Sequence, residues 1–174
     1  MAFLRLTLAC IFISTVVVAK KCDFGNYEME SFDIKQFVGQ WYSLYEQQEL
    51  ADYYSHFRNN FQISEDGEHG TITSKANRDG KEASYSGTLK VKKNGFIYYK
   101  SSDLKDFTGS YKVVDTDYNC YSILRGCPTK GPVKTLTWIQ YRSTTPSAEC
   151  EEAAQAAIKK TGVDSSKLVR VAYN

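Results

Sequence analysis

The chain has 174 residues, 42% of them hydrophobic and 14% aromatic, and its 22 basic and 20 acidic side chains leave a net charge of +2. Charges this balanced, with no long run of one sign, exclude a nucleic-acid-binding surface. The length fits one domain that buries about two thirds of its unfolded surface around a single core.

Residues 1–19, MAFLRLTLACIFISTVVVA, carry one early Arg, an apolar run from Leu6 to Val18 and small residues before Lys20. That pattern predicts a cleaved signal peptide, and the run is short for a transmembrane anchor. The expected mature chain, 20–174, is a single secreted, extracellular domain with a net charge of about +1 once Arg5 is lost. No later segment is long and apolar enough to span a bilayer. Cys10 leaves with the leader. Cys22, Cys120, Cys127 and Cys150 remain, which in an oxidising compartment predicts two disulfides with three connectivities open. The sequence holds no Asn-x-Ser/Thr acceptor for N-glycosylation.

From Phe37 to Arg142 the chain reads as short runs rich in Val, Ile, Thr, Tyr and Phe, broken by turn residues. The runs are WYSLYEQ, HFRNNFQIS, GTITSKA, ASYSGTLKV, FIYYKSS, SYKVVDTDY, CYSILRG and KTLTWIQYR, with EDGEHG, NRDGKE, KKNG and CPTKGP among the breaks. Eight evenly spaced strands suit a small closed barrel, able to enclose one small ligand. In HFRNNFQI, Phe57, Asn59, Phe61 and Ile63 share one face; in EASYSGTLKV, Ala83, Tyr85, Gly87, Leu89 and Val91 do. A period of two with one wet face fits a barrel wall. In FIYYKSS, either Tyr98 or Tyr99 points inward.

TTPSAECEEAAQAAIKKTG then predicts one helix. Thr145 is the expected cap with Pro146 at the first helical position, acidic residues sit near the start, Lys159 and Lys160 near the end, and Gly162 is the stop. Its apolar stripe, Cys150, Ala153, Ala154, Ala157 and Ile158, should face the barrel, so a helix-to-strand disulfide is geometrically feasible. The final LVRVAY run from Leu168 predicts a short strand or strap.

Three motifs stand in order: Gly39-Gln40-Trp41 at the first strand, Thr116-Asp117-Tyr118 between two later strands, and Arg142 at the end of the eighth. Together they resemble the three sequence signatures of the lipocalin family. DTDYNCYSILRGC and TWIQYRS are further similar to segments of apolipoprotein D-like, insect bilin-binding and crustacyanin-like members, so the resemblance covers essentially the mature chain.

That resemblance implies an all-β fold, an eight-stranded antiparallel up-and-down barrel with one C-terminal flanking α-helix. It implies a closed end built by Gly39, Trp41, Thr116, Asp117, Tyr118 and Arg142, with the arginine across the indole. By analogy with insect and crustacean members it also implies a Cys22–Cys127 disulfide. The remaining pair, Cys120–Cys150, would tie barrel to helix. Unlike those relatives, the chain has no cysteine in its C-terminal tail, which is therefore expected to be less firmly held.

The resemblance further implies a secreted carrier or store of a small hydrophobic ligand, of bilin, steroid, retinoid, carotenoid or fatty-acid type. The expected ligand-facing residues are Tyr45, Phe57, Asn59, Phe61, Tyr85, Tyr111, Trp138 and Gln140, with Ser43 and Ser74 leaving space. Leu50, Tyr53, Tyr54 and Phe57, in the segment matching the lipocalin mouth loop, either form an apolar lip or pack over the rim. The alternative function is a secreted protein-binding lipocalin, an inhibitor or defence factor acting through its mouth loops. A protein partner or weak homo-oligomer would fit it.

No metal site is expected from His56 and His69, the only 2 histidines. HExxH, CxxC, G-x-S-x-G and phosphate-cradling motifs are absent, and Asp117 in a turn suits capping of backbone N–H groups. The chain is thus not expected to be an enzyme. No obligatory cofactor is expected, a bound bilin pigment being one guest the resemblance implies.

Overall fold

The computed structural model describes residues 22–130 and 134–173. The expected signal peptide, with Cys10, lies outside the described residues. All eight expected strands form: β1 (Gly39–Gln47), β2 (Tyr54–Ile63), β3 (His69–Arg78), β4 (Lys81–Val91), β5 (Phe96–Ser101), β6 (Gly109–Thr116), β7 (Tyr121–Pro128) and β8 (Leu136–Tyr141). Sequence neighbours pair antiparallel, and β1 pairs with both β8 and β2, which closes the barrel. Short helices α1 (Ile34–Phe37) and α2 (Gln48–Ala51) flank β1, and the tail adds β9 (Leu168–Arg170), antiparallel to β1.

Burial follows the alternation in β3 and β4, where Ile72, Ser74, Ala76, Tyr85 and Leu89 are buried between exposed polar neighbours. In β6, β7 and β8 both faces are covered. The outer cover is α3 (Ala148–Thr161), whose Ala154, Ala157 and Ile158 pack on Leu44, Val114, Tyr121, Ile123, Ile139 and Tyr141. Two alanines let the helix come close to the wall, and burying Ile158 contributes about 1.5–3 kcal/mol.

Two details of the helix differ from expectation. Its cap is Ser147, extended at φ −68° and ψ 162°, whose hydroxyl accepts the Cys150 N–H at 3.3 Å. Thr145 instead donates its N–H to Ser143 Oγ at 3.1 Å, which keeps Thr145 and Pro146 in the approach to the helix. Ala153 is exposed, because the buried stripe runs through Ala154, Ala157, Ile158 and Thr161, with Cys150 half-buried at its start, and leaves position 153 off that face. Gly162 ends the helix in the left-handed conformation at φ +68°, as the sequence predicts.

The disulfides are Cys22–Cys127 and Cys120–Cys150, with Cα separations of 5.9 and 5.8 Å. The first pins the N-terminal segment to the end of β7, the second the start of β7 to α3.

The barrel has one seam. β1 and β2 pair only between Gly39–Tyr42 and Arg58–Phe61, and each is irregular just beyond, β1 between Ser43 and Tyr45 and β2 between Ser55 and Arg58. The C-terminal segment patches the gap. β9 pairs with Tyr45–Gln47, Val171 N–H bonds to Leu44 O at 2.9 Å, and the Tyr173 hydroxyl donates to Phe57 O at 2.8 Å. The tail lacks a cysteine but is held by these hydrogen bonds.

Candidate ligand-binding site

The closed end is built around Trp41, which is fully buried, donates its indole N–H to Phe37 O at 2.9 Å and stacks on Phe37 with centroids 5.1 Å apart. The Arg142 guanidinium carbon lies 3.7 Å from the centre of the Trp41 ring, a cation-π contact of about 0.5–2 kcal/mol. Arg142 also donates to the backbone oxygens of Tyr118, Val38, Gln40, Gln36 and Phe37 at 2.9–3.4 Å, using its rigid fork to stitch three segments together. Gly39 turns into β1 at φ +92°, where an L side chain is strained, and a Cβ there would meet Arg142 Nη1 at 3.4 Å.

The Thr116-Asp117-Tyr118 turn braces this floor. Asp117 Oδ1 accepts the N–H groups of Asn119, Cys120 and Tyr121 at 2.8–3.2 Å, so the carboxylate caps backbone as the sequence predicts. Thr116 Oγ1 donates to Tyr121 O at 2.6 Å and accepts the Tyr118 N–H at 2.9 Å. The Tyr118 hydroxyl accepts the Asp33 N–H at 2.9 Å and so draws the N-terminal segment across the base.

Above the floor lies a cavity of about 60 Å³. Phe57, Asn59 and Phe61 of β2, Tyr85 of β4, Tyr111 of β6 and Trp138 of β8 line it, all expected ligand-facing residues. Ser74 lines it too and donates its hydroxyl to Asn59 Oδ1 at 2.7 Å. The tyrosine left open in the fifth strand is settled: Tyr99 lines the cavity and Tyr98 is 36% exposed. The Tyr111 ring lies against Gly126, where a Cβ would be 2.3 Å from ring carbon Cε1.

Tyr45 and Gln140 do not reach the cavity. The bulge between Ser43 and Tyr45 reverses the parity of β1, so Tyr45 pairs with the outward Ile139 and turns outside, its ring 6.5 Å from Tyr141 and 5.6 Å from the Arg170 guanidinium carbon. Glu46 takes the inward place opposite Trp138. Its Oε1 accepts the Phe57 N–H at 3.0 Å across the seam, and burial pushes its pKa up to about 8. Gln140 is fully buried, its amide 3.4 Å from Ser43 Oγ, and lines no part of the cavity.

Sequence reasoning missed the cover. Between β5 and β6 a 3₁₀ turn, Lys105–Phe107, brings Leu104 and Phe107 into the cavity wall, both 8% exposed. Ser101 Oγ accepts the Leu104 N–H at 2.7 Å and the Tyr111 hydroxyl donates to Phe107 O at 2.6 Å, which fixes the turn. Phe107 packs edge-on to Tyr54 at 5.3 Å and lies 5.7 Å from Phe57. Two apolar residues in an otherwise polar stretch, SSDLKDFTGS, were the available signal. At the mouth loop, which includes α2 (Gln48–Ala51), Leu50 is buried and Tyr53 is 55% exposed, so the segment packs over the rim.

The Lipocalin / cytosolic fatty-acid binding protein family model matches residues 38–174. The chain belongs to the lipocalin family. Among solved structures this lipocalin is similar to Per a 4, a major cockroach allergen, with a TM-score of 0.69, 20% identity, and coverage of 88% of this chain and 95% of that one. It is similar to insecticyanin from the tobacco hornworm Manduca sexta, at 0.69 and 16%, covering 85% and 84%. Lobster apocrustacyanin A1 gives 0.62 and 20%, covering 80% and 79%. At these identities the likeness is one of fold. No curated protein matches the chain.

Proposed function

We propose that this lipocalin is a secreted carrier or store of a small hydrophobic molecule bound inside the barrel. The observation that carries the reading is a cavity enclosed by aromatic and aliphatic side chains above a sealed floor. Apolar burial at about 25 cal/mol per Å² drives entry, and the few polar groups orient the guest. Two disulfides fit an oxidising compartment and agree with the leader pattern. Asp117 and the four cysteines are engaged structurally, which favours binding over catalysis.

The cavity takes a compact guest, or one end of a longer guest that leaves through the mouth. A bilin pigment would need the Leu104–Phe107 turn to swing away. The protein-binding alternative draws on Tyr53, exposed at the mouth, but Leu50 beside it is buried. The test is direct binding of the fluorescent apolar probe N-phenyl-1-naphthylamine. The folded wild type is expected to bind it, and Ser74→Leu, which fills the cavity from β3, to weaken binding at least tenfold. Equal binding by both proteins would place the probe elsewhere and remove the carrier reading.

A further inference from the structure

The cavity holds two kinds of polar group. Asn59 and Ser74 bond each other, Tyr111 is spent on Phe107 O, and the Tyr99 hydroxyl is 3.4 Å from Ser86 O. By contrast the Tyr85 hydroxyl and the Trp138 indole N–H are buried without a partner among the described residues, in side chains only 7% and 4% exposed that both line the cavity. Buried donors left unpaired are rare in folded proteins, because each has lost its water without replacement. β4 and β8 stand four strands apart in either direction around the barrel, so Tyr85 and Trp138 belong to opposite walls.

Charge is the second observation. Among the described residues no Asp, Glu, Lys, Arg or His lines the cavity. A carboxylate brought there would lose its hydration and find no cation, which strongly disfavours an ionised guest. Glu46 points inward on β1 without lining the cavity, its Oε1 held by the Phe57 N–H, and offers no positive charge.

We infer that the guest is an uncharged apolar molecule bearing two oxygen functions, one accepting from Trp138 Nε1 and one meeting Tyr85 Oη on the opposite wall. This rests on the carrier reading above and narrows it to neutral ketones, alcohols and esters, against free carboxylic acids and propionate-bearing pigments. An indole N–H can only donate, so its partner is an acceptor; the phenol hydroxyl serves an acceptor or a donor. Apolar contact supplies affinity, and the two hydrogen bonds supply selection, since a guest lacking oxygen leaves both groups unpaired.

The test compares heptane, 2-heptanone, heptane-2,6-dione and heptanoate at pH 7.5 by displacement of N-phenyl-1-naphthylamine from the wild type, Trp138→Phe and Tyr85→Phe. The dione is expected to bind tightest and heptanoate at least tenfold more weakly than the ketone. Trp138→Phe should weaken the ketone and dione about three- to tenfold, the size of one net hydrogen bond, and Tyr85→Phe should weaken the dione likewise. Heptane affinity in each protein sets the apolar reference against which ketone and dione are read, and an unchanged far-ultraviolet circular dichroism spectrum shows that the variants fold. Heptane binding with no loss of ketone or dione affinity in the variants, or heptanoate binding as tightly as the ketone, overturns this inference alone. Failure of every compound, heptane included, overturns the carrier reading and this inference with it.

Discussion

Glu46 shows how one residue can follow from the backbone rather than from the sequence pattern. Strict alternation from Trp41 sends Tyr45 inward, but the bulge after Ser43 substitutes a carboxyl, fully buried, with Oε1 on Phe57 N–H and no partner for Oε2 among the described residues. Burial raises its pKa from 4.5 to about 8, opposed by the Phe57 and His56 backbone N–H groups, so the folded chain holds a neutral acid at neutral pH. Below about pH 4.5 the group is protonated in both folded and unfolded chains, and its contribution to native stability is whole. As pH rises from there through about 8, the unfolded chain releases the proton first, so stability falls and then levels. Glu46→Gln keeps the acceptor for Phe57 and removes the titration. Urea unfolding is expected to show the variant more stable than the wild type at pH 8.5 by roughly 2–4 kcal/mol, with that advantage gone at pH 4.5. A difference between the two proteins that does not change with pH would contradict this. Trp41 and Arg142 were legible through the resemblance of their motifs to lipocalin signatures, whereas nothing in YSLYEQ marks a bulge.

At the scale of elements, strands were readable because turns of Gly, Asn and Asp break them cleanly, and the helix because its charges follow the dipole from Glu149 to Lys160. Its start was misplaced by two residues because Ser143, Thr145 and Ser147 can all cap, and only the local hydrogen bonds choose between them. The Cys120–Cys150 bond closes a segment of 30 residues and fixes this helix to the wall. A Cys120→Ser/Cys150→Ser double variant is expected to lose about 2–4 kcal/mol of stability in denaturant unfolding. Probe affinity should stay within twofold, because α3 covers the outer face of the wall and the cavity lies inside. A large loss of affinity with little loss of stability would mean that the helix shapes the cavity.

For the whole molecule, the closed barrel could be read from the number and spacing of eight runs, whereas the sealed end came from the resemblance of the three motifs to lipocalin signatures. The cover could not. Leu104 and Phe107 reach the cavity through a 3₁₀ turn that has no period to detect, and the tail patches a seam that exists only because β1 and β2 both bulge. The molecule thus divides into a fixed floor, where Trp41 is bonded to Phe37 O, and a receptive upper chamber, where the Trp138 indole has no partner among the described residues. With only 2 tryptophans in the chain, two indole N–H signals report the two ends separately in a ¹H–¹⁵N spectrum. Titration with heptane-2,6-dione should move the Trp138 indole signal in proportion to occupancy and leave that of Trp41 in place. A bound ligand that shifts Trp41, or that leaves Trp138 untouched, would contradict the account.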